Sequence, residues 1–316
     1  QGEYLLNHAR SGIVMLLRTA FPHGGRVGMM AYNCHTVMNA IVQAGCQPIF
    51  IDVQADLRID LISLRKESNN LDALIVSHLF GLQNNMEDIR KICPNILIME
   101  DCAHGWGIEM NKLSDAAVYS INQGKFPSIG EGGILKVNAH WQAKIDKVYE
   151  SLPTYSFWQN LKLYFLMIIK ALLYKPIIYT YFTLPILKKN KDIMHVHQSI
   201  ILKRMNKGIQ RILGEEEKYI NDRIHVQRKN AEIWQKRLTK VSPIKETFYG
   251  RNAFMLVCKC TDVVAAKTWL KQQSFETETH FKYCINWASA FGYKEGDCPT
   301  TEKLTKELLM IPTYKL

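Results

Sequence analysis

Between Val27 and Val137 short apolar runs alternate with stretches of helical period, and this alternation restricts the chain to few architectures. Val27–Tyr32, Gln47–Val53, Ala73–Leu79, Ile96–Asp101, Ala116–Ile121 and Gly133–Val137 read as strands. Several are apolar almost without interruption, as strands are when both faces of their sheet are covered. Gly12–Phe21, Thr36–Ala44 and Asn85–Cys93 read as helices, the second closed by Gly45 as its C-cap glycine. Strand and helix in turn predict an α/β fold of three layers, a mostly parallel sheet between two layers of helices. In such sheets ligands lie beyond the carboxyl ends of the strands. That directs attention to Asp101, Ser120 and the loop after Ser120.

Tyr155–Leu187 departs from this pattern. Apolar and aromatic residues dominate it, but Lys162, Lys170 and Lys175 keep every uninterrupted run below the roughly 18–20 residues of a spanning helix. Two readings stay open. The segment is a buried helical hairpin or subunit interface, or it is a patch lying on a membrane surface. In the second case its aromatics sit at the interface and its lysines, with Lys188, Lys189 and Lys191, near head groups. His195–Leu238 reads as a long polar connecting helix, and Ser242–Leu316 as a small α/β domain. The expected division is a large domain over residues 1–200, and a connecting helix with a small domain over 201–316.

Forty Lys and Arg against 29 Asp and Glu give a net charge of +11, a surface that attracts anions without choosing among them. No Arg–aromatic platform or zinc module accompanies the charge, so nucleic acid is not an expected partner. The eight cysteines form no CxxC pair and fit neither a zinc site, which leaves no metal expected, nor a disulfide framework. Scattered thiols fit a reducing, cytoplasmic setting. The chain starts at Gln1 rather than Met and reads as a stretch of a longer product.

Three segments carry candidate chemistry: Met99–Gly105 at a strand end, Ser120–Lys125 after the next strand, and Gly130–Gly133 leading into another. A carboxylate such as Asp101 at the end of a buried strand is costly without a partner. A protonated ring nitrogen is one such partner, and pyridoxal phosphate carries one. A lysine in a Gly-flanked loop, Lys125, can form a Schiff base with that cofactor's aldehyde, helped by burial that lowers its pKa. Ser120 and Asn122 lie where a hydroxyl or amide can meet a phosphate oxygen. Ser11 and Gly12 precede an apolar helix as an N-cap and first residue would, and helix N-termini bind phosphate. His104 could reach the cofactor's phenolic oxygen. Tyr32, Cys34 and His35 follow the first strand, where one of them could rest against the ring.

With these residues in place, the chain resembles the DegT/DnrJ/EryC1/StrS family of sugar aminotransferases. The similarity runs through ARSG at Ala9–Gly12, AYNCHTVMNAIVQAGCQPIFIDV at Ala31–Val53 and SHLFG at Ser77–Gly81. It continues through IMEDCAHGWG at Ile98–Gly107, YSINQGKFPSIGEGGIL at Tyr119–Leu135 and CPTTEKLTKELLMIPTY at Cys298–Tyr314. The resemblance implies a PLP-dependent transferase of the aspartate-aminotransferase fold. It implies Lys125 as the Schiff-base lysine, Asp101 as the partner of the pyridine nitrogen and Ser120 as a phosphate ligand. His104 falls where many members have Gln and some His, and Ile13 stands where Thr often follows the first Gly. It further implies a homodimer that moves an amino group from an amino acid, glutamate by expectation, to a keto-sugar nucleotide for surface polysaccharide synthesis. The alternatives are a lipid-linked or amphiphilic ketone as acceptor at the inner face of the membrane, and a non-catalytic regulatory relative.

Overall fold

The computed structural model describes residues 1–173, 175, 199–238, 241 and 243–314. Its large sheet holds β1 (Gly2–Leu6), β2 (Arg26–Met30), β3 (Gln47–Ile51), β4 (Ala73–Ser77), β5 (Leu97–Cys102), β6 (Ala116–Ser120) and β7 (Gly133–Val137). Their order across the sheet is β1-β7-β6-β5-β4-β2-β3. From β3 through β6 all neighbours are parallel, whereas β7 runs antiparallel to β6 and β1 antiparallel to β7. The six strands read from the sequence form within one or two residues of their expected ends. The edge strand β1 was not expected.

Alternation along the strands divides the core in two. Ile75, Met99, Val118 and Leu135 face one side, and Leu74, Val76 and Ile98 the other. α1 (Ala9–Ala20), α2 (His35–Gln43) and α5 (Ala139–Ser151) cover the first side through Ile13, Leu16, Ile41 and Ile145. α3 (Leu61–Glu67) and α4 (Met86–Ile92) cover the second through Leu64 and Ile89. Asp60, Asn85 and Asn138 start α3, α4 and α5 by accepting backbone N–H groups of the first turn. This is the three-layer α/β arrangement expected from the sequence.

α6 (Phe157–Leu173) is not buried. Leu163 and Met167 touch the body of the protein. Phe157, Trp158, Leu161, Phe165, Ile168 and Leu172 form a stripe open to solvent, with Trp158 74% exposed. The buried hairpin therefore does not form within the described part of this segment, and residues 176–187 lie outside the described residues. No described helix is long and apolar enough to cross a membrane.

After Met205 the chain leaves β1, where Asn7 N–H donates to the Lys203 carbonyl. The long connector is two helices, α7 (Lys207–Glu217) and α8 (Ile220–Leu238), interrupted at residues 218–219; residues 195–198 of the expected helix lie outside the described residues. A second sheet orders β10 (Leu308–Pro312), β9 (Met255–Cys260) and β8 (Ile244–Phe248), all antiparallel. α9 (Val263–Gln272), α10 (Cys284–Ser289) and α11 (Pro299–Glu307) complete this lobe. One buried carboxylate ties it to the large sheet. Asp52, just beyond β3, accepts the Thr300 and Thr301 N–H groups (2.9 and 2.8 Å) and the Thr301 hydroxyl (2.7 Å), and so caps α11.

Candidate active site

The carboxyl ends of β4, β5 and β6 open into a cavity of about 180 Å³ whose lining includes Arg10, Asn33, Cys34, Ser77, Asp101, His104, Ser120, Asn122, Gln123, Lys125 and Phe281. β4 and β5 pair Ser77 with Asp101, so both side chains arrive at one level. Asp101 is buried. It accepts the Ser77 hydroxyl at 3.0 Å on one oxygen and the Ala103 N–H at 3.0 Å on the other. Ser77 in turn receives the Asn33 amide at 2.8 Å. Among the described residues no cation forms an ion pair with this carboxylate, so it suits a cationic ring atom brought by a ligand.

Lys125 enters from the loop after β6. Asn122 shapes that loop by accepting the Gly132 N–H at 3.0 Å. Gly133 lets it close over the start of α1, since a Cβ there would lie 2.0 Å from the Ala9 nitrogen. The Lys125 Nζ is 2.7 Å from His104 Nε2. Burial lowers the Lys125 pKa, opposed by the negative charges of Cys34 and Asp101. Burial, Lys125 and His280 push His104 well below the ordinary imidazole range, and the Phe80 N–H donates to its Nδ1 at 3.4 Å. His104 is then neutral, and its Nε2 lies within hydrogen-bond distance of the Lys125 amine. A neutral lysine amine is the nucleophile that carbonyl chemistry requires.

An aromatic wall closes the pocket. His104 stacks on Phe80 (5.1 Å) and Phe281 (5.6 Å), and Phe80 on His280 (5.7 Å). His280 and Phe281 come from the C-terminal lobe. Tyr32 secures them from the large sheet by donating its hydroxyl to the His280 carbonyl at 2.9 Å. Asn252 donates to the His104 carbonyl at 2.9 Å, a second tie between the lobes. Burial and Lys125 lower the His280 pKa to about 4. At Cys34 burial opposes ionisation, but contact with His35 and the charge of Lys125 prevail and bring its pKa to about 7.

The structure gathers Lys125, Asp101, His104, Ser120, Asn122 and Cys34 around one cavity. Three expectations change. His8 is the N-cap of α1, which starts at Ala9, so Ser11 is not a cap and Gly12 not its first residue. The Ser11 hydroxyl is buried and donates to Asn7 Oδ1 at 2.8 Å, while Gly12 lies against Val118 and Leu135. Neither lines the cavity. Tyr32 is fully buried behind the wall rather than on it. Sequence reasoning passed over Arg10, Ser77, His280 and Phe281. Arg10 and Ser77 stand inside the quoted motifs, whereas nothing in the sequence marks His280 and Phe281.

His78, Glu100 and Cys102 cluster behind Asp101 with ligand atoms within 4.8 Å of one another. Their polar atoms are already occupied. His78 Nε2 meets Glu100 at 2.7 Å, the Asn84 N–H donates to His78 Nδ1, and the Asn111 N–H donates to Glu100. Burial and the charges of Glu100 and Asp101 raise the Cys102 thiol pKa, which opposes metal binding. The cluster is a structural tie.

A buried carboxylate facing a buried amine at the strand ends of this sheet defines the class: the fold of PLP-dependent transferases, with a cavity whose residues fit pyridoxal phosphate. The model of the DegT/DnrJ/EryC1/StrS aminotransferase family matches residues 7–156 of this chain. The chain is 24% identical over 125 residues to a GDP-perosamine synthase of Vibrio cholerae, a match covering 37% of this chain and 34% of that protein. It is 22% identical over 315 residues to a pleiotropic regulatory protein of Geobacillus stearothermophilus, covering 92% of this chain and 74% of that one. The crystal structure of the sugar aminotransferase CalS13 from Micromonospora echinospora superposes with a TM-score of 0.73 at 17% identity, over 99% of this chain and 83% of that one. An E. coli GDP-4-keto-6-deoxy-D-mannose-3-dehydratase with bound hydrated PLP gives 0.72 at 16% identity, over 99% and 83%.

Proposed function

We propose that this protein is a PLP-dependent aminotransferase that moves an amino group from an amino acid to a keto-sugar nucleotide. The observation that carries the reading is the meeting, in one cavity, of a buried carboxylate with no ion-pair partner among the described residues, Asp101, and a buried amine whose pKa is lowered, Lys125. Pyridoxal phosphate, when bound, supplies an aldehyde for the amine and a ring that accepts electron density. Asp101 would hold a proton on the ring nitrogen of the bound cofactor, and the Ser77 hydroxyl fixes the carboxylate for it. His104 holds Lys125 Nζ in place. The Lys125 amine would hold the cofactor's aldehyde end and would be the base placed to take a proton from the donor's Cα. Ser120 is buried in the cavity lining and its oxygen accepts the Asn122 N–H at 3.4 Å, which leaves its own proton to donate to a phosphate oxygen of the bound cofactor. The basic balance of the chain suits a diphosphate-bearing acceptor.

Glutamate as donor, a homodimer, a cytoplasmic setting and a place in surface-polysaccharide synthesis belong to this reading. They are supported by the family match and, for the acceptor class, by relatives whose names include a GDP-perosamine synthase. Borohydride reduction of the protein with pyridoxal phosphate should fix the cofactor on the peptide containing Lys125. Glutamate without any acceptor should then yield one equivalent of 2-oxoglutarate per site in the unreduced protein. Both signals should vanish in Lys125→Ala. Covalent capture elsewhere, or turnover in that variant, would end the proposal.

The exposed stripe of α6 favours a second reading, in which the acceptor is an amphiphilic or lipid-linked ketone met at a membrane surface. Under the first reading a second copy of the chain covers the same stripe. A purely regulatory role, as the name of the Geobacillus relative would suggest, leaves the Lys125–Asp101 pairing without a use.

A further inference from the structure

We propose that Arg10 is the cationic ligand of the cofactor's phosphate. The inference rests on the reading of the cavity as a PLP site. Arg10 lies in the first turn of α1, and its side chain lines the cavity. Side chains in a first turn lean back toward the helix N-terminus, and the Arg10 charge acts on the N-cap residue His8. At that N-terminus His8 gives no side-chain cap and the first turn has no acidic residue to neutralise Arg10, although Gly133 packs against the Ala9 nitrogen and the Ser11 N–H already donates to the His8 carbonyl.

Arg10 itself lacks an acceptor. Among the described residues its guanidinium makes no hydrogen bond or ion pair, and only Glu131 and Cys34 act on it through space as negative groups. The Glu131 carboxylate is already engaged by the Tyr155 hydroxyl. Burial lowers the Arg10 pKa, which records how far the group has left water. Five N–H donors partly withdrawn from water without an acceptor are costly unless a ligand supplies one. A guanidinium fork meets two oxygens of a phosphate at once. The other ends of the cofactor have their partners in Lys125 and Asp101, and Ser120, 2% exposed, lines the same cavity with a free hydroxyl proton. A phosphate held by Arg10, Ser120 and α1 would need no further cation.

The test compares wild-type protein with Arg10→Gln and Arg10→Lys for binding of pyridoxal phosphate and of pyridoxal, which lacks the phosphate. Arg10→Gln should weaken pyridoxal phosphate by about tenfold or more while pyridoxal binding stays within about twofold, with Arg10→Lys between. Unchanged affinity for pyridoxal phosphate, or equal losses for both ligands, would overturn the proposal. So would an Arg10→Gln variant that binds pyridoxal phosphate normally but shows a raised KM for glutamate, because Arg10 would then read the donor's carboxylate. A second arm uses inorganic phosphate on the cofactor-free protein: millimolar phosphate should raise the Tm of wild type and not of Arg10→Gln, and equal shifts count against Arg10. Wild-type protein that takes up neither pyridoxal form refutes the PLP reading, and the phosphate arm still judges Arg10.

Discussion

At the scale of single residues, the site works by withholding protons. His104 and His280 are both driven toward the neutral form by burial and by Lys125, so the amine has neutral neighbours on the wall side. His280 makes this measurable in the cofactor-free protein. Above pH 6.5 it is neutral whether folded or unfolded and contributes no pH dependence. Between pH 6.5 and about 4 the unfolded chain binds a proton that the folded state refuses, so stability falls as pH falls, by ~3 kcal/mol at most. Urea unfolding at pH 7 and pH 5 should show a shallower acid loss for His280→Gln than for wild type; parallel losses would remove His280 as a cause. Lys125 and Asp101 were legible in the sequence because each sits at a strand end beside glycine or small residues. His280 was not, because its role arises from a contact between lobes that no local pattern encodes.

At the scale of elements, legibility followed periodicity. β4 and β6 are buried at every position, and their unbroken apolar runs gave their location directly. β1 escaped because its alternation is short and its partner, β7, is distant in sequence. The polar period of the connector continues through residues 218–219 and so predicts one helix, whereas the chain forms two, α7 and α8, on either side of them. α6 has the opposite problem: its composition is that of a buried helix, yet its outer face meets solvent. Six apolar side chains left in water each forgo roughly 1.5–3 kcal/mol of burial, so the stripe calls for a cover. The amphiphilic-acceptor reading predicts that wild-type protein pellets with vesicles containing anionic lipid, and that replacing Trp158 and Phe165 with Glu abolishes pelleting while pyridoxal phosphate still binds. Wild-type protein that stays in the supernatant removes that reading and leaves the stripe to a second copy, whose loss in the variant would appear as a fall in oligomeric mass.

At the scale of the whole molecule, two lobes meet at the site, and Asp52 is one of their fastenings. Its carboxylate satisfies two N–H groups at the start of α11 and the Thr301 hydroxyl, all in a buried setting. Asp52→Ala should cost about 2–4 kcal/mol, combining a lost cap with stranded buried donors, and should lower the urea midpoint accordingly. Because α11 leads into β10 and packs beside α10, the same variant should weaken pyridoxal phosphate binding although Asp52 does not line the cavity. A full loss of stability without any change in binding would mean that the lobes hold their places without this bond. The three-layer class was readable from alternation alone, but the tie across it was not, since Asp52 and Thr301 are joined only by the finished fold.

The division of the pocket wall between Phe80 and His104 early in the chain and His280 and Phe281 late in it bears on biogenesis. A ribosome that has released the whole seven-stranded sheet has still made only half a binding site. Residues 280–281 must emerge before that wall is complete, so cofactor capture belongs to the last stage of synthesis, and chains halted before Phe281 should fail to retain it.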